Sequence, residues 1–171
     1  MNSPKITLRA LEPEDLELLY TIENDTEAWD TSSARVNYSK FAIKQYIAQQ
    51  PQELAACGEM RLVITDSTTH KAVGTADLTG YSPTDRSAEI GIAVLKSERG
   101  KGYGKAAIEA LEHYARNFYN MRMLYAHTSD KNNPAAKNLF AGSGYTQVAT
   151  LPEWHFYRGE YEDLAVFKKK L

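Results

Sequence analysis

Glu98-Arg99-Gly100-Lys101-Gly102-Tyr103-Gly104-Lys105 is the stretch on which the reading of this chain turns. An alternating run before it, Ser87 to Leu95, reads as a strand with Ile90, Ile92 and Val94 on one side. After it, Ala107, Ile108, Leu111, Tyr114, Ala115 and Phe118 form an apolar stripe on a helix from about Gly104 to Asn120. The first backbone N–H groups of a helix lack intrahelical partners, and the helix dipole favours an anion there. Glycines admit positive φ and remove side chains, so several N–H groups can converge on one phosphate. Lys101 and Lys105 add positive charge. The competing structural explanation is a flexible turn.

Three phosphate ligands are considered for such a loop. A nucleoside-triphosphate loop needs Gly, four residues, then Gly-Lys-Ser/Thr. Here Lys105 precedes Ala106 and Arg99 stands where the first glycine belongs, so that reading fails. Gly102-x-Gly104-x-x-Ala107 satisfies a loose dinucleotide fingerprint. Against it, the loop lies past mid-chain and the strands upstream read as hairpins. The third ligand is the pyrophosphate of coenzyme A.

Outward from the loop, Arg61 to Asp66, Ala72 to Tyr81 and Ser87 to Leu95 predict an antiparallel meander, its turns at Ser67 to His70 and Ser82-Pro83-Thr84-Asp85. Lys5 to Arg9 predicts a further strand. Pro13 opens a helix with Leu16, Leu19, Tyr20 and Ile22 as its apolar stripe. Ser39 caps another, through about Gln50, with Phe41, Tyr46 and Ile47 on its apolar face and Pro51 as its end. Asn24 to Val36 reads as a loop. Past the central helix, Met123 to Thr128 reads as a strand. Asn133 caps a helix with Pro134 at its first position, closed by Gly142 or Gly144. Tyr145 to Tyr157 and Tyr161 to Lys168 form a hairpin around Arg158-Gly159-Glu160.

The 171 residues suit one domain, 1–171, with no internal repeat or linker. Hydrophobic residues make up 43% and charged residues 25%, which excludes a disordered chain. A formal charge of −2 argues against nucleic acid as the main partner. The Lys168-Lys169-Lys170 run reads as a solvated tail. No apolar run approaches the roughly 18 residues of a membrane helix. Cys57 is the lone cysteine, so no intramolecular disulfide forms, and no signal peptide is visible; a reducing, cytoplasmic setting is expected.

Two motifs carry a family resemblance. Arg99-Gly100-Lys101-Gly102-Tyr103-Gly104 resembles the Gln/Arg-x-x-Gly-x-Gly/Ala loop of the GNAT N-acetyltransferases, and Ile92-Ala93-Val94 resembles the strand before it. Asn133-Pro134-Ala135-Ala136-Lys137-Asn138-Leu139-Phe140, then Gly144-Tyr145, resembles their second motif, Asn-x-x-Ala-x-x-Leu-Tyr followed by Gly-Phe. Order and spacing are those of the family, and the likeness runs over essentially the whole chain. Ser87-Ala88-Glu89, Asp130-Lys131-Asn132-Asn133 and Tyr157-Arg158-Gly159-Glu160-Tyr161 resemble the branch holding spermidine and ribosomal-protein N-terminal acetyltransferases.

The resemblance implies an α/β (α+β) fold: a twisted, mixed, mostly antiparallel sheet of about seven strands flanked by about four helices. It implies transfer of acetyl from acetyl-CoA to a primary amine by direct attack in a ternary complex. The acceptor would be a polyamine, another small amine or a peptide N-terminus, and the protein a monomer or homodimer. Two other functions stay open, a catalytically weak acyl-CoA-binding module and a dinucleotide-binding oxidoreductase. By resemblance, the backbone at Ile92, Ala93 and Val94 pairs with pantetheine through a splay between this strand and Met123 to Thr128. The amides from Arg99 through Gly100, Lys101, Gly102, Tyr103 and Gly104 to Lys105 hold the pyrophosphate. Asn133, Asn138 and Phe140 border the cofactor, and Glu89 is the candidate base.

Phe140 departs from the family, since a tyrosine there donates a proton to the leaving thiolate. A thiol of pKa about 8.5 is already a fair leaving group, so the departure touches the acid step alone. Tyr145, Ser143 and Tyr125 are the possible substitutes. His127 and His155 fall in strand regions near the expected cleft, where either could meet substrate. His113 reads as structural, and His70, His113, His127 and His155 show no metal-ligand spacing. Glu23, Asp25, Glu27, Trp29 and Asp30 form an acidic, aromatic loop suited either to a cationic amine or to solvent.

Overall fold

The computed structural model describes residues 3–27, 36–50 and 53–171. Trp29, Asp30 and Pro51 lie outside them. Seven strands form one sheet: β1 (Ile6–Arg9), β2 (Met60–Asp66), β3 (Ala72–Ser82), β4 (Ser87–Val94), β5 (Met123–Ser129), β6 (Thr146–Tyr157) and β7 (Glu160–Lys170). Their order is β1-β2-β3-β4-β5-β7-β6, antiparallel throughout except for the parallel β4–β5 pair. The helices are α1 (Leu16–Glu23), α2 (Lys40–Ala48), α3 (Leu54–Cys57), α4 (Tyr103–Tyr119) and α5 (Pro134–Gly142). Short 3-10 turns precede α1 and α4. The expected sheet is present, with one more helix than expected, the single turn of α3.

One face of the sheet is apolar. Met60, Leu62, Ile64, Ala76, Leu78, Ala88, Ile90, Leu124 and Ala126 alternate inward and form one core with Ala107, Ile108, Leu111 and Ala115 of α4. Phe118 closes the expected stripe but is 70% exposed, and Tyr119 packs against the core in its place. Over the short helices the apolar residues also sort differently from the expectation. Leu18 and Leu19 are buried in α1, and Ile43 in α2, whereas Phe41 points outward and Tyr46 lays its ring against Arg61 of β2, 5.5 Å from the guanidinium.

The other face is polar and sits under α1 and α2. Arg61 of β2 forms a two-pronged pair with Asp77 of β3, both contacts 2.9 Å, and reaches Glu23 of α1 at 2.6 Å. Arg9 and Asp15 pin the start of α1 with two 2.7 Å contacts. Burial alone would raise the Asp15 carboxyl; Arg9 and the Glu12 amide outweigh it and hold it below its ordinary value.

Candidate active site

β4 and β5 are joined by only three pairs, Ser87↔Met123, Ala88↔Leu124 and Glu89↔Tyr125. Beyond them β4 pairs with β3 alone, down to Gly74↔Val94, and β5 with β7 alone. The strands therefore splay. A cleft of about 750 Å³ lies along the open half of β4 and runs to the N-terminus of α4; among the described residues, neither Glu89 nor His127 lines it. Its walls are Ile92, Val94 and Leu95 on one side, Asn133, Ala135, Ala136 and Leu139 of α5 on the other, and Thr21 and Ile22 of α1 above.

The open edge of β4 offers backbone groups. Leu95 N–H donates to Val73 O at 2.9 Å, so the alternating antiparallel pattern turns Ala93 toward β3 and Ile92 and Val94 toward the gap. Arg99 Nε takes the Val94 carbonyl at 3.0 Å. Of the three residues expected to offer backbone to a ligand, Ile92 and Val94 thus face the cleft through their main chain. Ala93 lines it without that possibility.

At the far end the chain turns through two left-handed glycines, Gly100 at φ +78° and Gly102 at φ +90°. Gly102 is the N-cap of α4 and has no side chain to give the helix. The first helical bond is Ala106 N–H to Gly102 O, 3.1 Å, so the amides of Tyr103, Gly104 and Lys105 have no partner within the helix. A side chain on Gly102 would also meet Pro4 Cδ at 3.0 Å. Gly104 lets Leu139 of α5 approach within 3.2 Å of where a Cβ would stand. The result is an anion cradle beside an apolar slot.

The cradle is braced from beneath. Glu98, buried, accepts from Lys101 at 2.8 Å and Lys71 at 2.7 Å, and these contacts pull its carboxyl down to about 2. Tyr103 donates its phenol to Asp66 at 2.6 Å, which lowers the Asp66 carboxyl to about 2 and pushes the phenol up to about 12. Lys101, expected to face phosphate, thus spends its ammonium on Glu98 and does not line the cleft. Lys105 is exposed and, among the described residues, has no ion-pair partner. Arg99 lines the cleft and ties the loop to Asp25 at 2.7 Å.

Two expected neighbours of the cofactor stand elsewhere. Asn138 lies five residues after Asn133, about 140° around a helix of 3.6 residues per turn; it is exposed and off the cleft. Phe140 is in the core, 5% exposed, its ring 5.4 Å from Tyr145 and 6.0 Å from Phe167. Asn133 lines the cleft, and its side chain caps α5 by accepting from Ala136 N–H at 2.9 Å.

Glu89 stands on the last β4–β5 pair, on the polar face. Its Oε1 meets His127 Nδ1 at 2.8 Å, and the Tyr125 ring lies edge-on to the imidazole at 5.6 Å. Burial, then Glu89, raises the Tyr125 phenol. The other substitute acids are inside the protein: Ser143 Oγ is buried, and burial drives the Tyr145 phenol far up. His155 lies 3.7 Å from the buried Glu162. His113 is exposed beside Asn117 rather than packed among apolar residues. The described acidic residues of the α1 end each have an internal cation: Glu23 with Arg61, Asp25 with Arg99, Glu27 with Lys96 at 2.8 Å. Among the described residues, no three of His, Cys, Asp and Glu form a metal-ligand group.

The sequence reading missed the α1 wall, Thr21 and Ile22, and Asn132. It also missed that Ala135 and Leu139, four apart, form the cleft-facing stripe of α5. That i, i+4 spacing was the available signal.

The sequence profile of the GNAT acetyltransferase domain matches residues 5–146. The chain belongs to the GNAT acetyltransferases. No curated protein sequence matches it. Among solved structures it is similar to the spermidine N-acetyltransferase of Vibrio cholerae in complex with CoA and spermine. The identity is 25%, over 96% of this chain and 95% of that one, with a TM-score of 0.85. A single-residue variant of the same Vibrio cholerae enzyme is 26% identical over 96% and 93%, with a TM-score of 0.79. This GNAT protein is an acetyl-CoA-dependent N-acetyltransferase with a seven-stranded mixed sheet. Its substrates are acetyl-CoA and an amine. Among the described residues no helix is long and apolar enough to cross a membrane.

Proposed function

We propose that this protein acetylates a primary amine of a short polyamine. The carrying observation is the three-pair limit of the β4–β5 register, which frees the edge of β4 along a slot running from the α4 cradle to Ile92, three residues beyond Glu89. Its polyamine character is supported by likeness, over nearly the full length of both chains, to a structure holding CoA and spermine. A second hollow of about 460 Å³ adjoins the first through Glu27 and Asn132 and is lined by Lys131, Tyr157, Arg158 and Glu160. Glu160 there suits a cation better than the aromatic face, since Arg158 already covers the Tyr157 ring at 5.1 Å.

When bound, acetyl-CoA supplies an acetyl thioester. The chain's own groups divide the work of holding it. Amides from Gly100 to Lys105 and the Arg99 and Lys105 cations take the pyrophosphate. The Ile92 and Val94 edge, with Asn133, takes the amides of the arm, and Ala135, Ala136 and Leu139 exclude water from it. An Ile92 or Val94 N–H is placed to stabilise negative charge on the acetyl oxygen. The lone, exposed Cys57 supports a reducing, cytoplasmic setting.

Thiol release from acetyl-CoA across spermidine, spermine, diamines, amino acids, aminoglycosides and short peptides tests the acceptor. Polyamines are expected to give the highest kcat/KM. A peptide N-terminus preferred by tenfold, or no release with any amine, overturns the reading.

A further inference from the structure

We propose that His127 is the proton acceptor of the transfer and that Glu89 is a positioning residue that fixes the histidine's tautomer. The inference rests on the acetyl-transfer reading above and moves the base from Glu89, where the sequence resemblance put it, to a residue 38 positions away in the chain.

The argument begins with register. Glu89↔Tyr125 is the last pair before the splay, and His127 is the next residue of β5 on the same face. The imidazole thus stands at the fork of β4 and β5, just beyond the Ile92 end of the cleft lining. Both side chains are about one-third open, 34% for Glu89 and 32% for His127. A carboxylate 2.8 Å from Nδ1 makes that nitrogen the protonated one. Nε2 then carries the lone pair, and among the described residues it has no hydrogen-bond partner. Around the ring stand Glu89 from β4, Tyr125 from β5 itself, and apolar Val166 opposite on β7, with Lys168 two pairs further along, opposite Tyr125.

The chemistry favours the imidazole over the carboxylate as base. Imidazole is intrinsically a stronger base than a carboxylate and can both take and return a proton within one cycle. A carboxylate on Nδ1 also supports the positive charge that Nε2 acquires. In the transfer the amine nitrogen bonds to the acetyl carbon and the carbon–sulfur bond breaks with its electron pair going to sulfur. The proton shed by nitrogen passes to His127 Nε2 and from there, directly or through water, to the departing thiolate. One group takes and returns the proton, so no phenol at residue 140 is required.

His127→Ala and His127→Asn are expected to lower kcat for spermidine acetylation by about 100- to 10,000-fold, with the dissociation constant for CoA within twofold of the natural chain. Glu89→Gln is expected to lower kcat less, by tens of fold, and Glu89→Asp to recover part of it. Nitrogen-15 NMR of the free protein supplies a readout independent of turnover. His127 is expected as the Nδ1–H tautomer when neutral, shifting toward Nε2–H in Glu89→Gln. Nε2–H in the natural chain, or a kcat within threefold in both His127 variants, overturns the dyad while leaving the transferase intact. A natural chain that acetylates no amine overturns the transferase reading and the dyad with it.

Discussion

The two halves of β4 share one backbone geometry and serve opposite ends. Ser87 to Glu89 are held on both edges, by β3 and by β5. Ile90 to Val94 are held on the β3 edge alone. An unpaired strand edge inside a protein leaves N–H and C=O groups that need partners. Here the gap is walled by α5 and ends at free helix amides, so it is open to a ligand's amides rather than to another strand. The zipped half ends on Glu89, and the open half begins there. The Glu89–His127 contact sits at this last rung of the ladder.

The largest expected effect sharpens that contrast. Leu111 of α4 is fully buried in the core that includes Ala88 and Leu124. Leu111→Ala should cost roughly 2–5 kcal/mol, lowering Tm by roughly 2–4 °C for each, with KM for acetyl-CoA unchanged. Gly74 on β3 backs the open half. A Cβ there would stand 2.2 Å from the Ala93 carbonyl oxygen, a backbone atom that can yield only if β4 moves. Gly74→Ala should cost about 1–3 kcal/mol and also weaken acetyl-CoA binding. Thermal melts with and without CoA separate the two: the CoA-induced rise in Tm should persist in Leu111→Ala and shrink in Gly74→Ala. Equal rises in both would erase the distinction between the halves.

How much of this was legible follows from the range of the interactions. Tyr103 to Tyr119 could be read because its stripe, Ala107, Ile108, Leu111 and Ala115, packs on one continuous surface. The eight- and nine-residue α1 and α2 could not be read as well, because a single buried turn, Leu18-Leu19 or Ile43, suffices to hold each against the sheet. The cradle was legible because its glycines stand at alternate positions within one short stretch, Gly100 to Gly104. Its bracing was not, since Glu98–Lys71 and Tyr103–Asp66 cross 27 and 37 residues. The Glu89–His127 contact needs the parallel register to place it, and no local pattern encodes that.

An intermediate effect tests the bracing of the open half through pH. Glu98 has its carboxyl lowered from 4.5 to about 2 by Lys101 first and Lys71 second. A carboxyl depressed on folding contributes stability that is fully present above the unfolded value and is lost as pH falls through the folded one. The window is therefore about pH 4.5 down to 2. Glu98→Gln should flatten the fall of Tm across that window and leave the slope above pH 5 unchanged. An identical slope in both proteins throughout would mean that the brace stores no pH-linked stability.

The smallest expected effect bears on turnover and comes from Phe140→Tyr. A tyrosine at this point of the family motif is the acid that its relatives are expected to use, so restoring it asks whether this chain lacks something. The ring is packed by Tyr145 and Phe167 and stands outside the cleft lining. A phenol added there enters a site packed by aromatic rings. If His127 both takes and returns the proton, the new hydroxyl changes kcat by less than about twofold, because no step waits for an acid. A tenfold rise in kcat would instead place the rate-limiting proton at sulfur, beyond the reach of the imidazole. The zipped half of β4 would then supply the base but not the acid, and the open half would need a donor of its own from α5.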